Sequence, residues 1–198
     1  MKNSVSFSPV ALLALVALVT LSGCNDPPPS AATSTSKPAP SAAASVASAA
    51  PAVMLKEGDA APDLELTLQT GKTVKLSSLK GKTVAIYFYP KDDTPGCTVE
   101  AQGIRDNWEQ LAAANITVIG VSLQDAASHQ QFIDKYKLPF DLAVDTTGAV
   151  ARAFGVPVHG EYASRQTFLI GPDGKIKKVW PDVKPSGHAA EILAAAKS

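Results

Sequence analysis

The chain has 198 residues, 45% hydrophobic and 18% charged, and its 18 basic residues balance 18 acidic ones. That length suits one ordinary globular domain with extra segments, and a neutral chain without a basic stripe argues against nucleic acid as a partner. Two cysteines and three scattered histidines, His129, His159 and His188, make no zinc-ligand spacing, so no metal or cofactor is expected.

Met1 and Lys2 give a positive start, residues 10–19 form an apolar run too short for a membrane span, and Leu21-Ser22-Gly23-Cys24 follows. This is the layout of a signal peptide over residues 1–23. Its ending resembles the bacterial lipobox, in which the cysteine becomes the lipidated first residue of the mature chain; the alternative is an ordinary signal peptide with a chance cysteine. The resemblance implies acyl chains on Cys24, and at about 0.8 kcal/mol per buried CH₂ two or more chains anchor stably where one does not. Residues 24–53, almost all Pro, Ser, Ala and Thr after the cysteine, bury too little apolar surface to offset their ordering entropy and are expected to be a disordered tether. Such a tether spans roughly 30 Å as a flexible coil and about 85 Å if polyproline-like.

Residues 54–198 read as the globular domain. Period-two alternation over 64–68, a turn at Gly71 and a second short strand predict a hairpin. Residues 83–89 are a continuous β-branched and aromatic run, as a strand buried on both faces requires. A helix is expected over 98–114, a buried strand over 116–123, and a helix capped by Asp125 and running to about Lys137. A strand over 140–144, a short helix over 149–154 stopped by Gly155, a hairpin of 166–170 with 175–180, and a helix over 189–197 complete the chain. Right-handed crossovers then place the first strands parallel at the centre of a mixed sheet, with helices on both faces. The order is similar to the thioredoxin-like α/β order with additional elements.

If Cys24 is lipidated, Cys97 is left alone. A lone cysteine in an exported chain is a free reactive thiol, an intermolecular partner or, at its blandest, a buried small hydrophobe. Its neighbours favour reactivity. Thr94 and Pro95 read as an N-cap followed by proline at the first helical position. Cys97 then lies in the first turn, where unpaired N–H groups and the positive end of the helix dipole sit. The segment follows the carboxyl end of a buried strand, where α/β sheets place their sites. Gly96 removes a side chain beside the sulfur.

Pro90, Thr94 and Cys97 fit the P-x-x-x-T-x-x-C signature of peroxiredoxins. The longer stretch over 87–101 resembles the bacterioferritin comigratory protein, or Q-type, subfamily, and the likeness extends to residues 58–64 and to Arg165 before an apolar strand. The resemblance implies a thiol peroxidase. Cys97 would be the nucleophile that takes the distal oxygen of a peroxide and becomes a sulfenic acid. The Thr94 hydroxyl would donate to the reacting oxygens, Arg165 would face both sulfur and peroxide, Pro90 would shield the sulfur, and Glu100 would orient an arginine.

For thiols in general, lowering the pKa from about 8.5 to about 6 raises the thiolate fraction at pH 7 roughly 30-fold but costs about 13-fold in nucleophilicity. Speed must therefore come mainly from positioning and transition-state hydrogen bonds.

Many members of the subfamily carry a resolving cysteine five residues after the first. Here that position is Gln102, and residues 125–137, the other usual location, contain none. The expected partners are thus a peroxide and an external thiol, either a thioredoxin-like protein or a small thiol, with the membrane reached through the lipid anchor. A monomer in the bacterial envelope is expected, facing the periplasm if the cell is diderm. A Cys97–Cys97 dimer and a Cys24–Cys97 bridge are alternatives for the cycle, and a tethered redox sensor is the alternative function. Trp108 and Trp180 are expected to pack against the sheet, His129 and His159 to be solvated, His188 to cap the last helix, and Arg152 to lie on the surface.

Overall fold

The computed structural model describes residues 53–198. The expected leader, Cys24 and nearly all of the expected tether lie outside the described residues. The first elements are β1 (Glu65–Thr67) and β2 (Thr73–Lys75), an antiparallel hairpin with Leu66 opposite Val74. Its turn is made possible by Gly71 at φ +79°, a conformation that favours glycine. A 3₁₀ turn, Leu76–Leu79, leads into β3 (Thr83–Phe88), whose last five residues are all buried.

The helix expected over 98–114 is two helices, α1 (Pro95–Asp106) and α2 (Trp108–Ala113). Asn107 separates them at φ −105° and ψ 12°, with its side-chain amide donating to the Gly103 carbonyl at 2.8 Å. Asparagine offers the backbone a competing partner in this way, which is why it interrupts helices. Next come β4 (Ile116–Ser122) and α3 (Ala126–Tyr136). As expected, Asp125 caps α3, its carboxylate accepting the Ser128 N–H at 2.8 Å, and Lys137 ends it in the left-handed conformation. The chain continues through β5 (Asp141–Val144), α4 (Ala149–Ala153), β6 (Val158–His159), β7 (Tyr162–Ala163), β8 (Gln166–Ile170), β9 (Ile176–Trp180) and α5 (His188–Lys197). The sequence reading passed over the β6–β7 hairpin because two-residue strands carry no periodicity.

The main sheet has the order β5-β4-β3-β8-β9. β3, β4 and β5 are parallel, and β8 runs antiparallel to both β3 and β9. Alternate residues of β3 feed two cores. Ala85 and Tyr87, with Tyr89 just beyond the strand, pack under residues of α1, α3 and α5. Val84, Ile86 and Phe88 face the β1–β2 hairpin and α4. In the second core Phe88, Phe154 and Phe168 form an aromatic triangle with ring centroids 5.1 to 6.0 Å apart. Full burial of each such ring contributes roughly 1.5–3 kcal/mol.

Two expectations are corrected. His129 is not solvated but fully buried, because it lies three residues before Phe132 on the inner face of α3. His188 does not cap α5. Gly187 occupies the cap position, and His188 turns inward, its Nε2 lying 2.9 Å from the Thr167 hydroxyl, with burial holding its pKa below the ordinary value. The expectations for the tryptophans, Arg152 and His159 hold. Trp108 packs against Phe140 and Trp180 against His188, while Arg152 and His159 are exposed.

Gly120 in β4 has no room for a side chain within the first core. A Cβ there would lie 2.6 Å from Leu142 Cδ2 and 2.7 Å from the Tyr87 ring and hydroxyl. Gly120→Ala should therefore destabilise the fold by about 1–3 kcal/mol through overpacking. In urea denaturation this is a lower midpoint with an unchanged m-value.

Candidate active site

Strand register sets the site. Phe88, the last residue of β3, pairs with Gln166, the first residue of β8. The chain leaving β3 and the chain entering β8 therefore meet at one end of the sheet. The first leads through Tyr89 and Pro90 to α1, and the second is preceded directly by Arg165.

At the start of α1 the backbone is as the sequence predicts. Thr94 holds the cap position at φ −90° and ψ 152°, Pro95 is the first helical residue, and Cys97 lies in the first turn. The Thr94 side chain, however, makes no capping bond. Its hydroxyl donates instead to the Lys91 carbonyl at 3.0 Å, closing the turn 91–94 on itself. A hydroxyl has one hydrogen and two lone pairs, so with the hydrogen engaged this oxygen is free to accept. That differs from the donor role expected of Thr94.

Cys97 is 1% exposed and belongs to the first core, which alone would fit an inert cysteine. What sets it apart is Arg165, whose Nη2 donates to Sγ at 3.1 Å. Arg165 Nη1 donates to Glu100 Oε2, one turn along α1. Cys97, Arg165 and Glu100 thus form one hydrogen-bonded row, with the guanidinium bridging sulfur and carboxylate. Gly96 contributes differently from the expectation: a Cβ there would lie 3.2 Å from Arg165 Nη2, so the missing side chain admits the guanidinium itself. Pro90 is half-buried in the loop between β3 and α1.

Glu100 is 1% exposed. Burial pushes its carboxyl up to about 7, with the Arg165 charge and hydrogen bond pulling the other way. Burial also works against the charge on Arg165, but Glu100 and Cys97 outweigh it and raise the guanidinium pKa further. Burial, then Glu100, keeps the Tyr87 hydroxyl neutral by raising it well above the usual phenol range. Tyr87 Oη, Glu100 Oε1 and Gln166 Oε1 are buried without a protein hydrogen-bond partner. Among the described residues no three His, Cys, Asp or Glu side chains cluster as a metal site.

The sequence reading missed the network beside this row. Asp92 accepts hydrogen bonds from the Tyr89 hydroxyl at 2.7 Å and the Ser128 hydroxyl at 2.7 Å, and lies 2.8 Å from His129 Nδ1. The signal present in the sequence was the position of His129 relative to Phe132, which places it inward. A sulfur in a helix's first turn, met by a guanidinium, is an arrangement for nucleophilic attack with charge moving off the sulfur.

Residues 57–179 match the AhpC/TSA family. The chain is 46% identical over 138 residues to peroxiredoxin Bcp of Bacillus subtilis, covering 66% of this chain and 88% of that one. The structure resembles that of a Cys-to-Ser mutant of Xylella fastidiosa PrxQ, with a TM-score of 0.68, 32% identity and coverage of 73% of this chain and 97% of the other. It also resembles the bacterioferritin comigratory protein of Xanthomonas campestris, studied for alkyl peroxide reduction, with a TM-score of 0.66, 35% identity and coverage of 72% and 98%. With its thioredoxin-like fold, the chain belongs to the AhpC/TSA family on its Bcp and peroxiredoxin Q branch, and it is a thiol-dependent peroxidase.

Proposed function

We propose that this peroxidase runs a one-cysteine cycle in which Cys97 is oxidised by a peroxide and restored by an external thiol. The observation that carries this reading is the 3.1 Å contact between Arg165 Nη2 and the sulfur of Cys97, the free cysteine among the described residues. In the first step the Cys97 thiolate attacks the distal oxygen of ROOH. An S–O bond forms and the O–O bond breaks, leaving sulfenic acid and RO⁻, which takes a proton to become ROH. Arg165 stabilises charge on sulfur before the step and on oxygen during it. Thr94 accepts the peroxide O–H, since its own hydrogen is held by Lys91. Pro90 shields the sulfur from water. Glu100 positions Arg165 without touching the substrate.

A thiol R′SH then condenses with the sulfenic acid, releasing water and forming a mixed disulfide. A second R′SH displaces Cys97 and leaves as R′SSR′. Gln102, where the subfamily's resolving cysteine would stand, lies within α1 and cannot take this part. Hydrogen peroxide and small alkyl hydroperoxides are the proposed substrates, in keeping with the alkyl peroxide activity of the Xanthomonas homologue. We further propose that the enzyme is a monomer held in the bacterial envelope by lipid on Cys24, with residues 25–53 as its tether. Among the described residues no helix is long and apolar enough to cross a membrane.

Mass spectrometry of the mature protein after one equivalent of peroxide should show acylation at Cys24, sulfenic acid at Cys97, and a mixed disulfide only when a thiol is supplied. Catalytic turnover with that thiol is expected. A single stoichiometric oxidation per chain, with no turnover under any supplied thiol, would make the protein a redox sensor instead.

Arg165→Ala should slow Cys97 oxidation by roughly 10²–10³-fold, the size of losing one preorganised oxyanion donor. Stopped-flow rates should be compared at a pH where the sulfur is fully ionised in both proteins, and equal rates there would remove Arg165 from the chemistry.

Glu100 makes the stability of the fold depend on pH. Its native carboxyl titrates near 7 against an ordinary 4.5, so between those values the native state holds a proton that the unfolded chain has released. This contribution to stability is therefore lost as pH rises through that window. Glu100→Gln should flatten the decline, as read from urea midpoints at about pH 5 and about pH 8.

A further inference from the structure

The loop that carries Pro90 and Thr94 is tied to α3 at two adjacent aspartates. Asp93, at φ +57°, is held at the surface by Lys135 Nζ at 2.6 Å and by the Tyr136 hydroxyl at 2.5 Å. Asp92 turns inward, is 7% exposed, and is met by three side chains from two directions. Tyr89 bonds one of its oxygens, while Ser128 and His129 share the other. The second nitrogen of His129, Nε2, lies 3.2 Å from the Ala143 carbonyl in β5. Both ring nitrogens therefore face acceptors, and His129 links the loop to the sheet as well as to α3. Although burial pushes the Asp92 carboxyl up, the bonds from His129, Ser128 and Tyr89 outweigh it and keep the pKa below the ordinary value.

None of these groups hydrogen-bonds to Cys97 or Arg165, yet Asp92 lies inside the 91–94 turn that the Thr94 hydroxyl closes onto Lys91. Fixing Asp92 fixes that turn, and with it the direction of the Thr94 oxygen. A salt bridge at the surface contributes little, as Asp93 and Lys135 would. A carboxylate saturated with buried donors is rigid, because any shift leaves a desolvated group without a partner.

We propose that Asp92 and His129 form a positioning pair that sets how fast Cys97 reacts with peroxide by holding the Thr94 turn in register with Arg165. The pair rests on the peroxide-orienting role of Thr94 given above. It separates two properties of the sulfur. Reaction with peroxide needs the Thr94 oxygen in place, whereas alkylation by iodoacetamide needs only an accessible thiolate.

The test uses the full-length chain with hydrogen peroxide and with iodoacetamide. Asp92→Asn and His129→Gln should each slow peroxide oxidation roughly 10- to 100-fold, the usual penalty for about 1 Å of misplacement, while alkylation stays within about twofold. The double variant should be no slower than the slower single one, since the two residues act as a unit. Lys135→Ala, which cuts the surface tie, should change the peroxide rate less than about twofold. Folded Asp92 or His129 variants that react with peroxide at the wild-type rate would overturn the proposal. So would parallel changes in both reactions, which indicate general loosening around the sulfur. Should neither variant fold, Ser128→Ala removes one of the three donors to Asp92 and should slow peroxide oxidation about threefold with alkylation unchanged; an unchanged peroxide rate there counts against the pair. A wild-type chain that reacts with peroxide no faster than free cysteine would instead sink the peroxide-orienting role of Thr94, and the pair with it.

Discussion

Negative charge on a sulfur that is 1% exposed needs a cation beside it, and Arg165 supplies one at 3.1 Å. Buried charges persist only when paired and hydrogen-bonded, and removing one partner of such a pair typically costs about 3–5 kcal/mol. Here the guanidinium is itself committed on its other side to Glu100, which is as buried as Cys97. The row of sulfur, guanidinium and carboxylate therefore stands or falls together. Gly96 gives the guanidinium room, since a Cβ there would lie 3.2 Å from Arg165 Nη2.

The row can form only where the sheet brings its two halves together. Cys97 and Arg165 are far apart in the chain, on opposite sides of β4, α3, β5 and α4. The antiparallel pairing of β3 with β8 erases that separation, because Phe88 lies against Gln166. The second core, with its packed Phe88, Phe154 and Phe168, holds this register from beneath the sheet. A slip of one residue would turn each strand's side chains to the wrong face. The aromatic packing on one side thus fixes the chemistry on the other.

Around the row the structure keeps polar groups where apolar ones would pack more cheaply. Tyr87 Oη, Glu100 Oε1 and Gln166 Oε1 are buried without protein partners, and Asp92 with His129 occupies core volume beside Tyr89. Such groups are costly to bury, and they cluster at the end of the sheet where Cys97 lies. Gly120 belongs to the same concession, leaving room for the Tyr87 hydroxyl. The Cys97 sulfur lies within this enclosure, in the first turn of α1. Thr94 lends no side-chain cap to that turn.

Much of the fold was legible from residues 54–198 because its elements are set locally. The β-branched runs of β3 and β4, the Asp125 cap of α3 and the Gly71 turn each follow from a few adjacent side chains. The Thr-Pro-Gly-Cys step likewise placed Cys97 in a helix's first turn without reference to the rest of the chain. The break at Asn107 was not foreseen, since it depends on a side chain choosing the Gly103 carbonyl over solvent. His129 was misjudged because its neighbours in sequence are polar, while its neighbours in space are Asp92 and Tyr89. Arg165 was nameable only through family likeness, for nothing within its own segment points to sulfur. Local propensity acts over a few residues and can be read along the chain. The meeting of Arg165, Glu100 and Cys97, the inward turn of Asp92 and the space kept by Gly120 are decided by strand register and close packing, which exist only once the sheet has formed.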